Sequence, residues 1–248
     1  MKVSLITVCY RPGRQLAETL DSILAQSHPA IETILVDGAS PDAETQQVIA
    51  RYRARLSTVL VEPDDGVYHA MAKGVALATG EVIGFVNAGD TLMHGDVVRE
   101  VADAFAEGVD AVYGDIDMVD ARDTRRVRRR WVSGPYDRNR FRKGWMPPHV
   151  ATFIRRRIYE QYGSFNTTLD IAADYEVMFR FMYRHRIAVR YVPSTWVRFR
   201  LGGLSNGSLQ HVLRANTQVR RSWRLNGIAA PPLLVTRKLL SKVLQFLH

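Results

Sequence analysis

The stretch from Glu62 to Asp90, EPDDGVYHAMAKGVALATGEVIGFVNAGD, decides the fold of this chain. It reads as an acidic turn, a helix with one lysine, a buried strand, and a second acidic turn where that strand ends. In α/β proteins, ligands bind in the loops at the carboxyl ends of the strands. Two acidic turns with Lys73 between them therefore predict a site for a nucleoside diphosphate and a divalent cation.

Strand and helix patterns alternate on both sides of this stretch. Strands are predicted at Lys2–Cys9, Thr33–Val36, Ser57–Val61, Glu81–Val86 and Asp110–Val119. Helices are predicted around Leu16–Leu24 and over Pro41–Arg55, Gly66–Ala78 and Asp96–Glu107. This alternation with short connections predicts an α/β fold with a mostly parallel central sheet and helices on both faces.

The pattern changes after Asp120. A basic segment from Arg122 to Lys143 is predicted to be extended or to form a hairpin. It is followed by a predicted strand at His149–Arg156, a helix at Ala172–Arg184, a strand at Ala188–Phe199 and a helix at Asn206–Leu225. Because no internal repeat or low-complexity linker is visible, we expect one domain over residues 1–230 and a basic amphipathic tail over 231–248.

Composition excludes several classes of protein. The chain has 248 residues, 46% of them apolar, and one cysteine, so it forms no internal disulfide. Cys9 lies in an apolar run, which favours a packed thiol over a reactive one. No secretory signal and no apolar run of about 20 residues is present, so we expect a cytoplasmic protein.

The net charge of +9 favours anionic partners such as nucleic acid, anionic lipids or phosphorylated substrates. No nucleic-acid-binding motif surrounds the arginines, so nucleic acid is not expected. A dehydrogenase is disfavoured too, because Arg11-Pro12-Gly13 follows the first strand where a G-x-G-x-x-G turn would stand.

Three turns carry the candidate ligand-binding side chains, and each has a structural alternative. Asp37 could bind a base or ribose, or hydrogen-bond its own turn. One of Asp64 and Asp65 could serve only as a helix cap. Lys73 could bind phosphate or be solvated. Asp90 is placed to hold Mg²⁺ or Mn²⁺ with help from Asn87, or it is a turn residue.

The order and spacing of five segments resemble the family 2 glycosyltransferases of the GT-A fold. These segments are SLITVCYR, ILVDGAS, the stretch from Glu62 to Asp90, PPHVATFIRR and IAADYEVMFRF. The resemblance covers residues 3–205 and is strongest to enzymes of bacterial exopolysaccharide, capsule or O-antigen assembly. It implies an inverting sugar transferase, with a nucleotide-sugar-binding half over 1–119 and an acceptor-binding half over 120–230.

The resemblance also implies roles for single residues. Thr7 and Arg11 would line the nucleotide loop, Asp37 and Asp65 would bind base and ribose, and Lys73 would approach the donor. Asp90 would hold the metal, in a motif where Asn87 and Gly89 replace two expected acids. His149 would face the diphosphate or the acceptor, and Asp174 would be the catalytic carboxylate, with Ala173 where a glutamate often stands.

Asp174 has a simpler interpretation as an acidic residue in the first turn of its helix. As a general base, it would remove the proton of an acceptor hydroxyl during attack on the anomeric carbon. We expect a UDP-sugar donor, a Mn²⁺ or Mg²⁺ ion, and a glycan or polyprenyl-diphosphate-linked acceptor. Aromatic residues among the arginines of 131–145, and the basic tail, are suited to such an acceptor and to peripheral membrane contact, or are simply buried and packed. The alternative function is an inactive nucleotide-sugar-binding module.

Overall fold

Two apolar strands form the centre of the sheet in the computed structural model, which describes residues 1–202, 209–232 and 234. Strand β1 (Val3–Cys9) is buried at every position, and β2 (Ile31–Asp37) is buried beyond its first residue. The two strands are parallel, with Val3 opposite Ile31 and Cys9 opposite Asp37. Alternate side chains pack on opposite faces, as expected for a parallel sheet covered by helices on both sides.

Seven further strands complete this sheet within the described residues. They are β3 (Thr58–Val61), β4 (Val82–Phe85), β5 (Thr91–Leu92), β6 (Ala111–Val119), β7 (Val127–Trp131), β8 (Thr152–Arg155) and β9 (Val189–Arg200). The order is β3-β2-β1-β4-β8-β6-β9-β5, with β7 paired to β6. Strands β3, β2, β1 and β4 are parallel, and so are β6 and β9. The predicted mostly parallel α/β sheet is therefore confirmed, with antiparallel strands added to it.

The helices cover both faces of the sheet. They are α1 (Gln15–Leu24), α2 (Ala43–Tyr52), α3 (Val67–Leu77), α4 (Val97–Ala104), α5 (Arg156–Tyr162), α6 (Ala173–Met178) and α7 (Leu209–Leu225). Helix α2 begins where the Asp42 carboxylate accepts a hydrogen bond from the Thr45 amide at 2.9 Å. Helix α3 follows Gly66, whose φ of 117° suits only glycine.

Several predicted boundaries were wrong. The strand expected at His149–Arg156 begins with a 3₁₀ turn at His149–Ala151, and α5 starts where the strand was expected to end. The helix expected at Ala172–Arg184 continues after Met178 as a π-helical turn, Phe179–Arg184. Strand β8 lies antiparallel between β4 and β6, an arrangement that local periodicity does not encode. The short strand β5 was not predicted either.

The basic segment after Asp120 forms a hairpin, because β7 pairs antiparallel with β6. A 3₁₀ helix follows at Arg138–Lys143. Between the strand predicted at Ala188–Phe199 and the helix that follows it, Gly202 lies within the described residues and residues 203–208 lie outside them. The tail expected at 231–248 lies outside them, apart from 231, 232 and 234.

Candidate active site

The carboxyl ends of β1 to β4 lie at one edge of the sheet, because these four strands are parallel. Cys9 is opposite Asp37, and Asp37 is opposite Val61. The turns after these strands hold the residues that the sequence singled out. This carboxyl edge is therefore the place where those side chains can meet.

The Asp37 carboxylate closes the turn after β2. It is fully buried and accepts hydrogen bonds from the Ser40 amide at 2.9 Å and the Ser40 hydroxyl at 2.5 Å. The Cys9 thiol donates to the same carboxylate at 3.3 Å. Burial, together with the Asp37 charge, raises the pKa of the Cys9 thiol, so the thiol stays protonated and packed.

Two loops at this edge adopt strained backbone conformations. Arg11, after β1, has φ of 54°, and Ala39, after β2, has φ of 58°. Left-handed backbone costs a non-glycine residue about 1 kcal/mol, and such strain concentrates at functional sites. The two loops are joined by a hydrogen bond of 2.8 Å from the Arg11 amide to the Ser40 hydroxyl. Beside them, the Tyr10 ring is 62% exposed.

The acidic turn before α3 separates its two aspartates. The Asp64 carboxylate accepts a hydrogen bond from the Gly66 amide at 2.9 Å and lies against Gly38, where a Cβ would come within 2.7 Å of it. The Asp65 side chain is 98% exposed and lies 3.7 Å from His69 Nδ1. Asp64, which the sequence treated as a possible cap, therefore lies against the β2 loop, while Asp65 faces solvent.

Lys73 is tied to the turn after β3. Its ammonium group donates to the carbonyl of Pro63 at 2.7 Å and lies 2.8 Å from a carboxylate oxygen of Glu62. The side chain is 16% exposed. The lysine therefore braces the loop that carries Asp64, and a phosphate would have to compete with Glu62 for it.

Asp90 is a buried carboxylate with few interactions that offset the cost of burying its charge. Its Oδ1 accepts one hydrogen bond, from the Arg200 amide at 3.0 Å. Burial raises the pKa of Asp90 to about 7, although the Arg200 amide and charge act in the opposite direction. Thr19 shapes this turn by donating to the Asp90 carbonyl at 2.7 Å and accepting from the Gly89 amide at 2.9 Å.

The side chains of Asn87 and Asp90 offer two oxygen atoms as candidate metal ligands. The Asn87 Oδ1 atom is buried without a hydrogen-bond partner, three residues before the Asp90 carboxylate, which accepts one hydrogen bond. In the described part of the chain, no group of three His, Cys, Asp or Glu side chains could hold a metal on its own. The donor set fits a hard cation that takes its remaining ligands from substrate phosphate and water.

Asp174 lies in the first turn of α6 and is fixed by two hydrogen bonds. Its Oδ1 accepts from its neighbour, the Tyr175 amide, at 2.7 Å and from the Tyr68 hydroxyl at 3.1 Å. The same hydroxyl lies 2.8 Å from the carbonyl of Ile171. Burial, and then the charge of Asp174, raise the pKa of Tyr68, which keeps the phenol protonated as a donor.

His149 lies beside Asp174 in an aromatic pocket. Its ring centroid is 4.9 Å from that of Phe85 and 5.5 Å from that of Phe165. Burial lowers the pKa of His149 to about 4, while the negative charge of Asp174 opposes the shift. The imidazole is therefore neutral at pH 7. Its Nε2 atom has no hydrogen-bond partner.

Buried polar atoms without partners are concentrated at the carboxyl edge. Native interiors satisfy nearly all such atoms, so each exception needs an explanation. Four of those in the described residues belong to the carboxyl-edge turns or to side chains packed on them: Thr7 Oγ1, Asn87 Oδ1, His149 Nε2 and Arg200 Nε. A polar ligand at this edge would give them partners.

Strand β4 connects the two halves of the site. Its last residue, Phe85, contacts His149 on the Asp174 side, and the turn that follows holds Asn87 and Asp90. Arg11 lies on the loop after β1, Asp65 on the loop after β3, and Lys73 on helix α3, with the partners described above. Sequence reasoning missed Tyr68 and Arg200, whose contacts with Asp174 and Asp90 span 106 and 110 residues. No local pattern could reveal them, although Tyr68 lies in the stretch quoted first.

Comparison with known proteins identifies the family. Residues 4–163 match the family described as glycosyl transferase family 2. A PGL/p-HBAD biosynthesis glycosyltransferase of Mycobacterium bovis is 34% identical over 210 residues, which cover 82% of this chain and 78% of that protein. An uncharacterized glycosyltransferase of Mycobacterium tuberculosis is 30% identical over 183 residues, which cover 72% of this chain and 68% of that protein. In the portion of this chain that the structure describes, no helix has the length and apolar character needed to cross a bilayer.

Solved structures show the same fold at low sequence identity. The S. aureus TarS fragment 1–349 aligns with a TM-score of 0.72 and 17% identity, over 96% of this chain and 71% of that one. The mannosyltransferase PcManGT of Pyrobaculum calidifontis, solved with GDP-Man and Mn²⁺, aligns with a TM-score of 0.67 and 19% identity, over 99% of this chain and 70% of that one. The fold is therefore that of the GT-A transferases, and this chain belongs to glycosyl transferase family 2.

Proposed function

We propose that this glycosyltransferase moves a sugar from a nucleoside-diphosphate donor to an acceptor hydroxyl with inversion, and that Asp174 is the general base. One observation carries this proposal. The Asp174 carboxylate is oriented by the Tyr68 hydroxyl and the Tyr175 amide, and its charge acts on the buried imidazole of His149, whose Nε2 atom has no hydrogen-bond partner. A carboxylate fixed in this way, near the carboxyl edge of the sheet, is placed to accept a proton.

In the proposed reaction, Asp174 takes the proton of the acceptor hydroxyl. The acceptor oxygen attacks the anomeric carbon, and the bond from that carbon to the nucleoside diphosphate breaks with its electron pair leaving on the phosphate oxygen. A single displacement of this kind inverts the anomeric centre. Neutral His149 is positioned to offer its unpartnered nitrogen to the diphosphate or to the acceptor.

The donor is proposed to lie along the turns of β1, β2 and β4. Thr7, Arg11 and Asp37 would line the nucleotide part, with Asp65 in the adjacent turn and Lys73 on the helix that follows it. The exposed Tyr10 ring, next to Gly38 and Asp64, offers an aromatic surface for a base. TarS was solved with UDP and with UDP-GlcNAc, and PcManGT with GDP-Man. These neighbours support a nucleotide sugar, and we propose a UDP-sugar.

A divalent cation is proposed at Asn87 and Asp90. The cation would neutralise the charge that develops on the departing diphosphate. The buried, partnerless amide oxygen and the uncompensated carboxylate support this assignment. Screening nucleotide sugars by thermal shift, with and without Mn²⁺, tests both donor and metal. A ligand at a hundredfold excess over its dissociation constant stabilises the folded state by about 2.7 kcal/mol.

The test of the base is Asp174→Asn, which keeps the shape of the side chain and removes its charge. We expect turnover to fall by on the order of a hundredfold to ten-thousandfold, while UDP affinity measured by calorimetry stays within about twofold. Unchanged product formation would exclude Asp174 as the base. The reduced metal motif favours the alternative of an inactive nucleotide-sugar-binding module. That alternative predicts UDP binding without turnover in the wild type.

The acceptor is proposed to be a glycan or a polyprenyl-diphosphate-linked sugar used in bacterial surface polysaccharide synthesis, with the enzyme acting at the inner face of the membrane. The support is the basic tail over 231–248 and the net charge of +9. Flotation with anionic liposomes should retain the full chain and release a chain truncated at Pro231. Equal binding of the two chains would contradict membrane contact through the tail.

A further inference from the structure

The arginines between Arg122 and Lys143 fall into two groups that differ in their partners. In the β6–β7 hairpin, three arginines form ion pairs with nearby aspartates. Arg125 pairs with Asp123 at 3.0 Å, Arg128 with Asp120, and Arg130 with Asp117 at 2.8 Å. These pairs stabilise the hairpin and offset part of its positive charge.

The second group lies on the 3₁₀ helix Arg138–Lys143, which carries four cationic side chains. Across residues 1–202, 209–232 and 234, none of the four forms an ion pair with a carboxylate. The partners of its three arginines are aromatic rings and neutral oxygens. The Arg138 guanidinium lies 4.1 Å from the Tyr183 ring centroid and donates to the Tyr183 carbonyl, while Arg142 reaches the hydroxyl of Tyr183 at 3.5 Å.

Arg140 is the most informative member of this group. It is half-buried, and its guanidinium lies 4.1 Å from the ring centroid of Trp145. One of its nitrogens donates to the carbonyls of Ser133 at 2.8 Å and Pro135 at 3.1 Å. Burial lowers the pKa of Arg140. The charge of Asp137 opposes this shift, but no carboxylate in the described residues forms an ion pair with Arg140. A partly desolvated guanidinium without an ion pair is costly, which favours an anionic partner that is not part of the described chain.

Trp145 gives a second, independent indication. Its indole Nε1 atom is buried without a hydrogen-bond acceptor. The unpartnered indole N–H and the guanidinium stacked on the same indole place two kinds of hydrogen-bond donor close together. Phosphate oxygens accept from both kinds of donor, and the planar guanidinium matches phosphate geometry.

The Arg140–Trp145 pair packs, through Phe141, against the helix that carries the proposed base. The Trp145 ring centroid is 5.5 Å from that of Phe141, and Phe141 is 6.1 Å from Tyr175, the residue next to Asp174. Phe141 itself is fully buried and fixes the 3₁₀ helix against α6. An acceptor whose hydroxyl reaches Asp174 could therefore extend toward Arg140.

We infer that Arg140 and Trp145 form a subsite for a phosphate or diphosphate group of the acceptor, with Arg138 and Arg142 adding positive charge nearby. This inference rests on the proposed function, because it extends the acceptor from the hydroxyl at Asp174. It commits to an anionic acceptor and to a place for its charge that is separate from the donor diphosphate.

The experiment uses inorganic pyrophosphate as the probe, titrated by calorimetry into the full chain with UDP already saturating. We expect Arg140→Gln to weaken pyrophosphate binding at least tenfold. Arg125→Gln, which removes the same charge from the exposed hairpin arginine, should change it by less than twofold. Trp145→Phe keeps the ring and removes the N–H, and should weaken binding about threefold. UDP affinity checks that each variant is folded, and Arg140→Lys should give an intermediate loss.

Equal affinities in the wild type and Arg140→Gln would overturn the inference. So would equal losses in Arg140→Gln and Arg125→Gln, because that result would indicate unspecific charge. Failure of the proposed function has a different signature, since the wild type would then show no sugar transfer, whatever its affinity for pyrophosphate. Farnesyl diphosphate and glucose 1-phosphate serve as two further probes. If farnesyl diphosphate binds more tightly than pyrophosphate, the acceptor is lipid-linked. If glucose 1-phosphate binds more tightly than pyrophosphate, the acceptor is a soluble phosphorylated glycan. In either case the binding must depend on Arg140.

Discussion

Buried polar side chains differ in their hydrogen bonding between the two edges of the sheet. At the amino edge, the buried carboxylate of Glu32 accepts hydrogen bonds from the Lys2 ammonium at 2.7 Å, the Ser4 hydroxyl at 2.5 Å and the Thr79 amide at 2.8 Å. Thr79 adds a second bond through its hydroxyl. These interactions join β1, β2 and the turn before β4, and every donor is aimed at the same acceptor.

At the carboxyl edge, several polar atoms have no hydrogen-bond partner, and the Asp90 carboxylate has few interactions that offset the cost of its burial. Thr7, Asn87 and His149 each bury an unpartnered atom there, and burial raises the pKa of Asp90 to about 7. Binding sites commonly sacrifice stability in this way. The difference teaches that the amino edge stabilises the fold, whereas the carboxyl edge is arranged for a ligand. Substitutions should therefore have opposite effects at the two edges.

Asp90→Asn should give the largest difference in stability. The folded-state pKa of about 7 exceeds the reference value of 3.8, so the carboxylate lowers stability progressively as pH rises from about 4 to 7. The full effect is about 4 kcal/mol. In metal-free buffer at pH 8, the variant should gain close to this amount in urea unfolding and little at pH 4. Glycosyl transfer should fall at least tenfold. A variant that is less stable at pH 8 would contradict the account of this edge.

Glu32→Gln should act in the opposite direction. Burial opposes ionisation of this carboxyl, yet the hydrogen bonds from Lys2, Ser4 and Thr79 lower the pKa of Glu32 to about 2. The stabilisation is therefore present above pH 4.5 and is lost as pH falls toward 2, with a size of about 3 kcal/mol. The variant should lose this amount at pH 7, measured by urea unfolding, while its transfer rate stays within about twofold. Exposed Glu107→Gln is the control and should change neither quantity.

His149→Phe should change how stability depends on pH. The pKa of His149 is lowered to about 4 by burial, so folding favours the neutral ring. Wild-type stability from this residue is complete above pH 6.5 and declines as pH falls toward 4, with about 2 kcal/mol lost by pH 5. Phenylalanine cannot take up a proton, so the variant should lack this loss. Urea unfolding at pH 7 and pH 5 measures it, and an equal loss in both proteins would contradict a buried neutral histidine.

The sequence was sufficient to predict strands β1 to β4 and the location of the turns that follow them. Strands β1 to β4 have strong apolar patterns bounded by acidic turns, so parallel pairing brings Asp37, Asn87 and Asp90 to one edge. The distinction between Asp64 and Asp65 was beyond reach, because it depends on the loop conformation before Gly66 at φ of 117°. Strand β8 was also beyond reach as an antiparallel insertion, since its position depends on long-range pairing.

The partners of the site residues were equally hidden. Tyr68 orients Asp174 from another helix, and the Arg200 amide binds Asp90 from the end of β9. Such contacts arise from tertiary packing and leave no periodic signal. The sequence therefore predicted which carboxylates lie in turns, whereas the folded structure was needed to show which are paired, exposed or desolvated.

The smallest expected effect comes from the most closely matched pair of substitutions, at Ser4 and Thr7, because both residues lie on β1. Ser4 donates to Glu32 and accepts from the Gly80 amide at 2.9 Å, whereas the buried Thr7 hydroxyl has no partner. Ser4→Ala should lower the free energy of unfolding by about 1 kcal/mol and leave UDP affinity unchanged. Thr7→Val keeps the branched shape and removes the unsatisfied hydroxyl, so it should raise that free energy by about 1 kcal/mol and weaken UDP binding. Losses of stability in both variants would mean that the two edges do not differ as described.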